Sequence, residues 1–512
     1  MKYYIGLDNG GTTTKAAVFD ETGREVASCG VGTRMLVPRP GFTERDMDEM
    51  WDANCAVLRN VLQKANIAPQ DVACIACCGH GKGLYLWGKD DRPVRPGIIS
   101  TDNRAWEYPN LWLEQGVTDR VFALSCQHVL ASQPVSLLAW LRDNEPGAME
   151  RTKYIFECKD YVRFRLTNNA CAERTDYSGA NFLDLHTGEY SPELLELFGL
   201  EECLTKLPPL IRSTDIAGFL SREAAERTGL REGTPVAGGA FDIDACAIAV
   251  NVVNEDNICM IAGTWSINEY LCRAPVTDGS VLMNSYSFLP EYYLVEECSP
   301  TSAGNLEWFI TTLLPELKVT AEQNGTSIYS QLDRWVAQTP PEATCPIFLP
   351  FLMASNVHPN AMGCFLGMSN FHAREHLVRS IYEGVAFSHR YHLEKLLASK
   401  TTPTRAIRLA GGAAKSAVWT QLFADVMNLP VEAVNVNETG ALGCAVICAV
   451  ACGAYPSLAE AAGAMCDMSP PCLPNERNVA IYESKYAVYK KAIEALDPFW
   501  NDLRALNDTL QK

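Results

Sequence analysis

The chain has 512 residues, of which 47% are apolar, so it is long enough for two domains that each bury a core of their own. Its formal net charge of −18 excludes the basic surface that a nucleic acid or an anionic membrane requires of its partner. No apolar run reaches the ~20 residues of a membrane span, and the first residues lead directly into a predicted strand rather than into a signal peptide. We therefore expect a cytoplasmic protein that binds neither nucleic acid nor membrane.

The opening of the chain predicts a phosphate-binding hairpin between two short β-prone runs, 3–7 and 16–20. Two glycines in the turn allow backbone N–H groups to approach an anion, and two threonine hydroxyls add donors. These residues are Gly10, Gly11, Thr12 and Thr13. The spacing of a Walker A motif is missing. The alternative is a plain polar turn, which is the commoner use of an isolated Gly-Gly pair.

An amphipathic helix is predicted from Met47 to about Ala65, followed by strands at 72–77 and 84–87. The loop between the two strands holds His80 and Lys82 among three glycines, where a small ligand could reach both side chains; a flexible turn explains it equally well. Further on, Asp102 and Arg104 follow an apolar run, at the position where α/β sheets present groups to ligands.

The cysteines are scattered and lack the spacing of a disulfide framework, which indicates reduced thiols. Two groups could suggest zinc, but one lies in a strand that turns its members to opposite sides and the other lies on one helical face, so packing is the preferred interpretation of both. The groups are Cys74, Cys77, Cys78 with His80, and Cys444, Cys448 with Cys452.

The pattern of the first half returns in the second half. A strand at 236–237 leads through Gly238-Gly239 to Asp242 and a helix at 245–253, and a strand at 406–410 leads through Gly411-Gly412 to a helix at 418–428. A second hairpin with Gly263 and Thr264 in its turn joins strands at 258–261 and 267–271. This layout predicts a duplicated α/β domain, with copies at 1–253 and 254–512 that face one another across a cleft. The last helix is expected to run from Tyr482 to about Leu496 and to be interrupted at Asp497-Pro498.

Two such hairpins suit a nucleoside triphosphate, with Asp8 expected to hold Mg²⁺ through water. Gly411 and Gly412 would permit close approach of the adenosine. Asp242 is the candidate general base for a substrate hydroxyl. The alternative for Asp242 is helix capping, although Asp244 fits that use better.

The chain resembles the FGGY carbohydrate kinases over nearly its whole length. The segment Gly363–Met368, followed after seven residues by His376–Glu383, fits the C-terminal signature of that family at each constrained position. A second signature, at 132–141, has Leu137 where the pattern expects lysine. The resemblance implies the hexokinase-like and actin-like ATPase fold, an α/β fold of two ribonuclease H-like domains, and it implies ATP and Mg²⁺ as cofactors.

The resemblance also implies roles for individual residues. Asp8–Lys15 would be the first phosphate motif, Ala262–Ser266 the second, and Leu409–Ser416 the adenosine motif, so that Lys15, Lys415 and Ser416 join the ATP-binding residues named above. Asp242 would be the base. Lys82 would contact the sugar in place of a histidine of related enzymes, Asp102 would bind a sugar hydroxyl with support from Arg104, and His80 would stand behind them.

Four segments resemble those of family members that phosphorylate L-xylulose, namely 81–84, 101–104, 238–242 and 299–309. The implied reaction is transfer of the γ-phosphate of ATP to a terminal hydroxyl of a ketopentose, completed by closure of the two domains. Alternatives are 3-keto-L-gulonate, D-xylulose, ribulose or a polyol as substrate, or a nucleotide-switched actin-like protein that drives domain motion. A homodimer is also expected.

Overall fold

The computed structural model describes residues 2–510 and, within them, every side chain except that of Asp508. Its strands are β1 (Tyr3–Asn9), β2 (Thr13–Asp20), β3 (Glu25–Gly32), β4 (Glu44–Arg45), β5 (Val72–Gly79), β6 (Tyr85–Gly88), β7 (Gly97–Ile98), β8 (Thr152–Phe156), β9 (Ala172–Glu173), β10 (Leu183–Asp184), β11 (Glu189–Tyr190), β12 (Leu210–Ile211), β13 (Ile216–Phe219), β14 (Pro235–Ala237), β15 (Ala240–Phe241), β16 (Asn257–Ala262), β17 (Ser266–Cys272), β18 (Met283–Tyr286), β19 (Tyr293–Ser299), β20 (Ile347–Leu349), β21 (Cys364–Leu366), β22 (Ala406–Ala410) and β23 (Val431–Ala433).

The α-helices are α1 (Met47–Ala65), α2 (Glu107–Glu114), α3 (Val117–Ser125), α4 (Pro134–Asn144), α5 (Pro146–Arg151), α6 (Cys158–Thr167), α7 (Arg174–Ser178), α8 (Pro192–Phe198), α9 (Arg222–Thr228), α10 (Asp242–Ala249), α11 (Gly304–Leu313), α12 (Pro315–Gln323), α13 (Ile328–Gln338), α14 (Arg374–Ser399), α15 (Ala417–Met427), α16 (Thr439–Ala451), α17 (Leu458–Met465) and α18 (Glu476–Leu510). Throughout residues 2–510, none of these helices combines the length and the apolar character that crossing a membrane would demand.

Two compact units form, and neither is a single stretch of chain. The first unit contains residues 1–254, 271–295 and 434–468, and the second contains 255–270, 296–433 and 469–512. The predicted boundary near residue 253 stays a prediction about where the two copies of a duplicated domain meet. The compact units do not test it, because they are assembled from interleaved segments.

The sheet of the first unit has the strand order β13-β14-β5-β1-β2-β3. The hairpin pairs β1 with β2 antiparallel, and β5 lies parallel to β1 on the other side. Strand β15 also pairs with β5, so that Asn9, Gly79 and Phe241 stand in one row across three neighbouring strands. Because parallel strands end at the same edge of a sheet, this row brings three loops together.

Helix α16 covers β1 and β5 of this sheet. Its residues from Gly440 to Ala449 are buried. The helix approaches β1 so closely that a Cβ atom at Gly6 would lie 2.0 Å from the carbonyl oxygen of Ala441. The thiols of Cys444, Cys448 and Cys452 contact backbone carbonyls of β1 and β5, which confirms the predicted packing role of this cysteine face.

In the second unit, strands occur in the order β19-β17-β16-β22-β23. The predicted hairpin is confirmed, because β16 pairs antiparallel with β17, and β22 lies parallel to β16. Strand β22 therefore occupies in this sheet the place that β5 occupies in the first. The predicted equivalence of the two Gly-Gly turns is wrong, since Gly411-Gly412 follows the β5 counterpart whereas Gly238-Gly239 follows β14, one strand further out.

Helix α18 continues through Pro498, so the predicted interruption at Asp497-Pro498 is wrong. The apolar stripe of the helix does not stop there, because Trp500 is buried in the same way as Ile493 and Tyr489. Proline removes one backbone hydrogen bond, but Pro498 and Glu494, whose carbonyl loses its donor, are exposed to water. Packing on both sides of the proline therefore outweighs its local cost.

Candidate active site

The turn of the β1–β2 hairpin is fixed on one side and open on the other. The N–H of Gly10 donates to the carbonyl of Thr13 at 3.1 Å. Buried Arg45 donates to the carbonyl of Gly10 at 2.9 Å and to the hydroxyl of Thr14 at 3.0 Å. A Cβ atom at Gly11 would meet no atom of the described chain within 4 Å. The backbone of the turn is thus preorganised and accessible, as an anion site requires.

Asp8 is the last residue but one of β1 and lies directly opposite Lys15 in the hairpin register. The ammonium of Lys15 lies 2.9 Å from a carboxylate oxygen of Glu438, just before α16. A Cβ atom at Gly440 would lie 3.2 Å from Oδ2 of Asp8, so the Asp8 carboxylate adjoins the first turn of α16, where the helix dipole favours an anion. Burial raises the pKa of Asp8; Lys15 opposes this shift and Glu438 adds to it.

Lys82 lies in the loop between β5 and β6 with a left-handed backbone, φ 61°. A lysine in this conformation is uncommon, and such conformations concentrate at functional sites. Its side chain is buried, with the ammonium 5.5 Å from the ring centre of Phe241. Lys82 is therefore held next to the residue that precedes Asp242.

His80 is buried and does not act as an open ligand. Its Nε2 lies 2.8 Å from the hydroxyl of Tyr85, and its backbone N–H donates to the carbonyl of Asn9. Burial, with a smaller contribution from the charge of Arg45, lowers the pKa of His80 to about 4. Its imidazole is therefore neutral near pH 7 and fixes the loop between β5 and β6.

Asp102 is saturated with hydrogen bonds. Its Oδ1 accepts from the backbone N–H and the Nε of Arg104, and its Oδ2 accepts from Nη2 of Arg104 and from the backbone N–H of Thr43. The guanidinium of Arg104 lies over the ring of Phe42, 4.4 Å from its centre, and its Nη1 has no hydrogen-bond partner in the described structure. The two residues thus form one buried unit, with a free donor on Arg104.

Asp242 is the first residue of α10, and the helix-capping alternative is wrong. The cap position is Phe241, and the structure shows no side-chain capping bond there. Asp244 does not cap the helix either, since its Oδ1 accepts from the N–H of Phe288 at 3.2 Å. Burial raises the pKa of Asp242 well above its usual range. The charges of Asp8 and Asp176 add to this shift, whereas Lys82 and the N–H of Ile243 lower it.

A buried ionic network supports the backbone at Asp242. The ammonium of Lys159 lies 2.7 Å from Asp160 and 2.9 Å from Asp176. The N–H of Phe241 donates at 3.0 Å to the hydroxyl of Thr175, which adjoins Asp176 on α7. Because both ends of this chain of contacts are buried, the position of Asp242 is set by packing rather than by a mobile loop.

The second unit supplies the other two predicted motifs. Gly263 and Thr264 form the turn of the β16–β17 hairpin, and Thr264 is exposed. Gly411 has φ 87° and lies so close to β16 that a Cβ atom there would be 2.7 Å from the carbonyl oxygen of Ala262, so only glycine fits. Gly412 and Lys415 are exposed. The hydroxyl of Ser416 accepts from Trp419 N–H and donates to Asp333, so it caps α15.

Comparison with known proteins identifies the family. Residues 3–249 match the N-terminal domain, and residues 258–452 match the C-terminal domain, of the FGGY family of carbohydrate kinases. The chain belongs to the FGGY family of carbohydrate kinases. It is therefore an ATP-dependent phosphotransferase that uses an alcohol group of a carbohydrate as acceptor, with the two-domain actin-like ATPase fold. The family assignment decides against the nucleotide-switched, non-metabolic alternative.

Several relatives match nearly the full FGGY chain. It is 35% identical over 498 residues to a probable L-xylulose kinase of Haemophilus influenzae, covering 97% of this chain and 99% of the relative. It is also 35% identical over 500 residues to the L-xylulose/3-keto-L-gulonate kinase of Escherichia coli, covering 97% and 98% of the two chains. A crystal structure of xylulose kinase from Lactobacillus acidophilus superposes with a TM-score of 0.86 at 23% identity, covering 98% of this chain and all of that one, and shows the same fold.

Several residues that contact or adjoin the predicted site residues of this FGGY kinase were missed in the sequence. Arg45 and Asn54 brace the predicted phosphate turn. Arg45 donates to the carbonyl of Gly10 at 2.9 Å, and the side-chain amide of Asn54 donates to Oδ1 of Asn9 at 2.8 Å. Glu438 pairs with Lys15 across more than four hundred residues of sequence, and no local pattern announces it. Glu157 follows strand β8, and the strand-end argument applied to Asp102 would have found it too.

Proposed function

We propose that this FGGY kinase transfers the γ-phosphate of ATP to the terminal hydroxyl of L-xylulose and forms L-xylulose 5-phosphate. The observation that carries the proposal is the row of Asn9, Gly79 and Phe241 across β1, β5 and β15. This row places the phosphate turn, the Lys82 loop and Asp242 at one edge of one sheet. The choice of sugar is supported by the relatives whose names include L-xylulose.

In the proposed mechanism, Asp242 accepts the proton of the substrate hydroxyl as that oxygen attacks the γ-phosphorus. A base for this reaction must be positioned and must be ionised at the working pH, and phosphoryl transfer otherwise depends on orientation and charge stabilisation. Lys82 supplies the nearby positive charge that favours the ionised form of Asp242. The N–H groups and hydroxyls of residues 10–13 would hold the phosphates.

Lys82 is the proposed sugar ligand, and its surroundings favour a neutral ketopentose over a keto acid. The charges of Asp176 and Lys82 act on the pKa values of both Asp242 and Glu157, so these four side chains interact electrostatically. Asp242 must be ionised to act as the base, and in that form it would repel a carboxylate on the substrate. We propose that Asp102 acts indirectly, by holding Arg104 so that its free Nη1 faces the sugar. His80 would support the loop.

Magnesium fits this site only in company with the nucleotide. Across residues 2–510, no three carboxylate, imidazole or thiol groups come together as a metal site. Asp8 is a single carboxylate whose pKa is raised by burial, so a cation beside it is favourable. Mg²⁺ commonly uses one or two carboxylates together with phosphate oxygens and water. We propose that Asp8 would hold Mg²⁺ through water, and that the bound ion would supply positive charge next to the phosphates.

The residues of the second unit are assigned to the nucleotide. Gly263 and Thr264 would contribute N–H and hydroxyl donors to phosphate, and Gly411 and Gly412 would contact the adenosine. Lys415 is exposed and remains a candidate for a phosphate or ribose contact. Since the hydroxyl of Ser416 is used as the cap of α15, we propose that Ser416 acts by fixing the helix start.

The sugar is tested by ADP production from a panel that contains L-xylulose, D-xylulose, ribulose, 3-keto-L-gulonate and a polyol. We expect L-xylulose to have the highest kcat/KM. A clear preference for 3-keto-L-gulonate would replace the proposed substrate.

The same samples, examined by sedimentation, test the expected homodimer, and fractionation of the source cells tests the expected cytoplasmic location.

The base is tested by Asp242→Asn. We expect kcat to fall by about 10²- to 10⁴-fold, the range of general-base contributions, with little change in the KM for ATP. Asp244→Asn is the matched control, because it makes the same change two residues along the same helix in another buried acid. Turnover of Asp242→Asn near that of the control would remove Asp242 from the base role.

A further inference from the structure

Glu157 is a buried carboxyl group that stands just before helix α6. It is 1% exposed, and neither carboxyl oxygen has a hydrogen-bond partner in the described structure. It stands at the cap position of α6, yet its side chain makes no capping bond. Buried polar groups are almost always satisfied, and an orphaned carboxyl costs stability. A residue of this kind is explained if its partner is a bound molecule.

Glu157 follows β8 in the separate two-stranded sheet of β6 and β8, which lies beside the edge of the sheet that carries the candidate active site. Strands β6 and β8 pair so that Tyr85 lies opposite Phe156, which puts Glu157 at the next register position, beside the end of the Lys82 loop. The thiol of Cys158 contacts the carbonyl of Asn9 at 3.8 Å, and it lies 3.2 Å from where a Cβ of Gly79 would be. Glu157 therefore adjoins the same row that carries the phosphate turn and Asp242.

Four charged groups act on the ionisation of Glu157. They belong to Asp176, Lys159, Asp160 and Lys82. Asp176 is 2% exposed; its Oδ2 accepts from Lys159, but its Oδ1 has no partner in the described chain. Two buried carboxyl groups on different helices thus each leave oxygen atoms unused in one neighbourhood.

We propose that Glu157 is a specificity-determining residue that hydrogen-bonds one hydroxyl of the acceptor sugar, with Oδ1 of Asp176 taking a neighbouring hydroxyl. The inference rests on the proposed function and names how the same site recognises its substrate. A sugar carries several hydroxyls that each donate and accept, so it can satisfy both carboxyl groups at once, which the protein alone does not do.

The chemistry of Glu157 and Asp176 also explains which sugars the site rejects. Burial, with a further contribution from Asp176, raises the pKa of Glu157 well above its usual range. A neutral carboxyl group both donates and accepts a hydrogen bond, which matches a hydroxyl and does not match a cation. A sugar that lacks the recognised hydroxyl would leave the acid unsatisfied, and such sites discriminate strongly.

The test compares Glu157→Leu with wild type on the sugar that wild type phosphorylates best and on its single-deoxy analogues. We expect the KM for the complete sugar to rise about 10- to 100-fold, because a buried hydrogen bond to an ionisable group is lost, while the KM for ATP stays within about twofold. For one deoxy analogue, the difference between variant and wild type should vanish. Asp20→Asn is the control, a buried acid at the far end of the β1–β2 hairpin.

The conservative variant Glu157→Gln should keep the KM for the sugar within about fivefold of wild type, because an amide still donates and accepts. Glu157→Gln also tests the inference if Glu157→Leu does not fold, because the remaining increase in its KM should disappear with the same deoxy analogue. A structural role predicts the same loss for every analogue or no loss at all, and either result overturns the inference. If wild type prefers a sugar other than L-xylulose, the proposed substrate fails, while the test of Glu157 proceeds on the preferred sugar.

Discussion

The ionisation of Asp242 is set by single residues around it. Asp8 and Asp176 raise its pKa in addition to burial, and Lys82 and the N–H of Ile243 lower it. A base works only when deprotonated, so kcat/KM falls as the pH drops through the pKa of Asp242. The acid limb of the profile should therefore lie above the pH expected for an ordinary carboxyl group.

Lys82→Met removes a side-chain charge that lowers the pKa of Asp242. We expect the acid limb of kcat/KM to move to higher pH, and the KM for the sugar to rise about 10- to 100-fold through loss of a charged hydrogen bond, with the KM for ATP little changed. The measurement is the pH profile of kcat/KM with saturating ATP. Lys153→Met on β8 is the control, since that lysine is exposed and pairs with Asp91 at the surface. Equal losses for sugar and ATP would contradict the role of Lys82.

Residues at strand ends could be predicted from the sequence, and residues that act across the fold could not. Asp8 follows an apolar run, Lys82 lies in the glycine-rich loop after another, and Asp242 follows a Gly-Gly turn. The structure brings these three segments to one edge of a sheet. The pairing of Lys15 with Glu438 depends on where α16 packs, which is a tertiary choice. The saturation of Asp102 likewise depends on Thr43, a distant backbone group that periodicity does not reveal.

At the scale of single elements, helix α16 supports the candidate active site by its packing. It contacts α10, which carries Asp242, so closely that a Cβ atom at Gly443 would lie 2.0 Å from the carbonyl oxygen of Ala245. A side chain at this position must push the helices apart, and the fixed backbone cannot yield cheaply.

Gly443→Ala should therefore destabilise the protein by about 1–3 kcal/mol and lower kcat, because the displaced α10 moves Asp242, the proposed base. Thermal unfolding and steady-state kinetics measure the two effects. Gly463→Ala is the control, the same change in the neighbouring helix α17, where a Cβ atom meets nothing in the described chain within 4 Å. The control should be neutral or more stable by up to about 1 kcal/mol, since alanine favours helix. Equal behaviour of the two variants would refute the packing argument.

Most single elements were predictable because their apolar periodicity is strong, as for α1, whose bounds agree with the prediction. Two element-level predictions were wrong for tertiary reasons. The two Gly-Gly turns have the same sequence but pack against different strands. Gly239 packs against β5, where a Cβ atom would lie 1.9 Å from the carbonyl oxygen of Cys77, and Gly411 packs against β16. The helix α18 overrides Pro498 because its buried stripe continues beyond it.

For the whole molecule, the interleaving of the two units has a consequence for folding. The compact unit that contains residues 1–254 also contains residues 434–468. Helix α16 buries Leu442, Val446 and Ile447 there, among others. Burying each large aliphatic side chain stabilises a fold by roughly 1.5–3 kcal/mol, so this one helix is comparable with the roughly 5–15 kcal/mol that holds a whole domain.

The fragment 1–253 should therefore fail to form a stable native domain. We expect retained far-ultraviolet circular dichroism, lost near-ultraviolet signal and no cooperative urea transition, because the apolar faces of β1 and β5 are uncovered. Adding a peptide of residues 434–468 should restore part of the cooperativity, whereas the same peptide with Gly443→Leu, which cannot approach α10, should not. A fragment 1–253 that unfolds cooperatively on its own would show that its core suffices without α16. The division at residue 253 would then describe folding as well as ancestry.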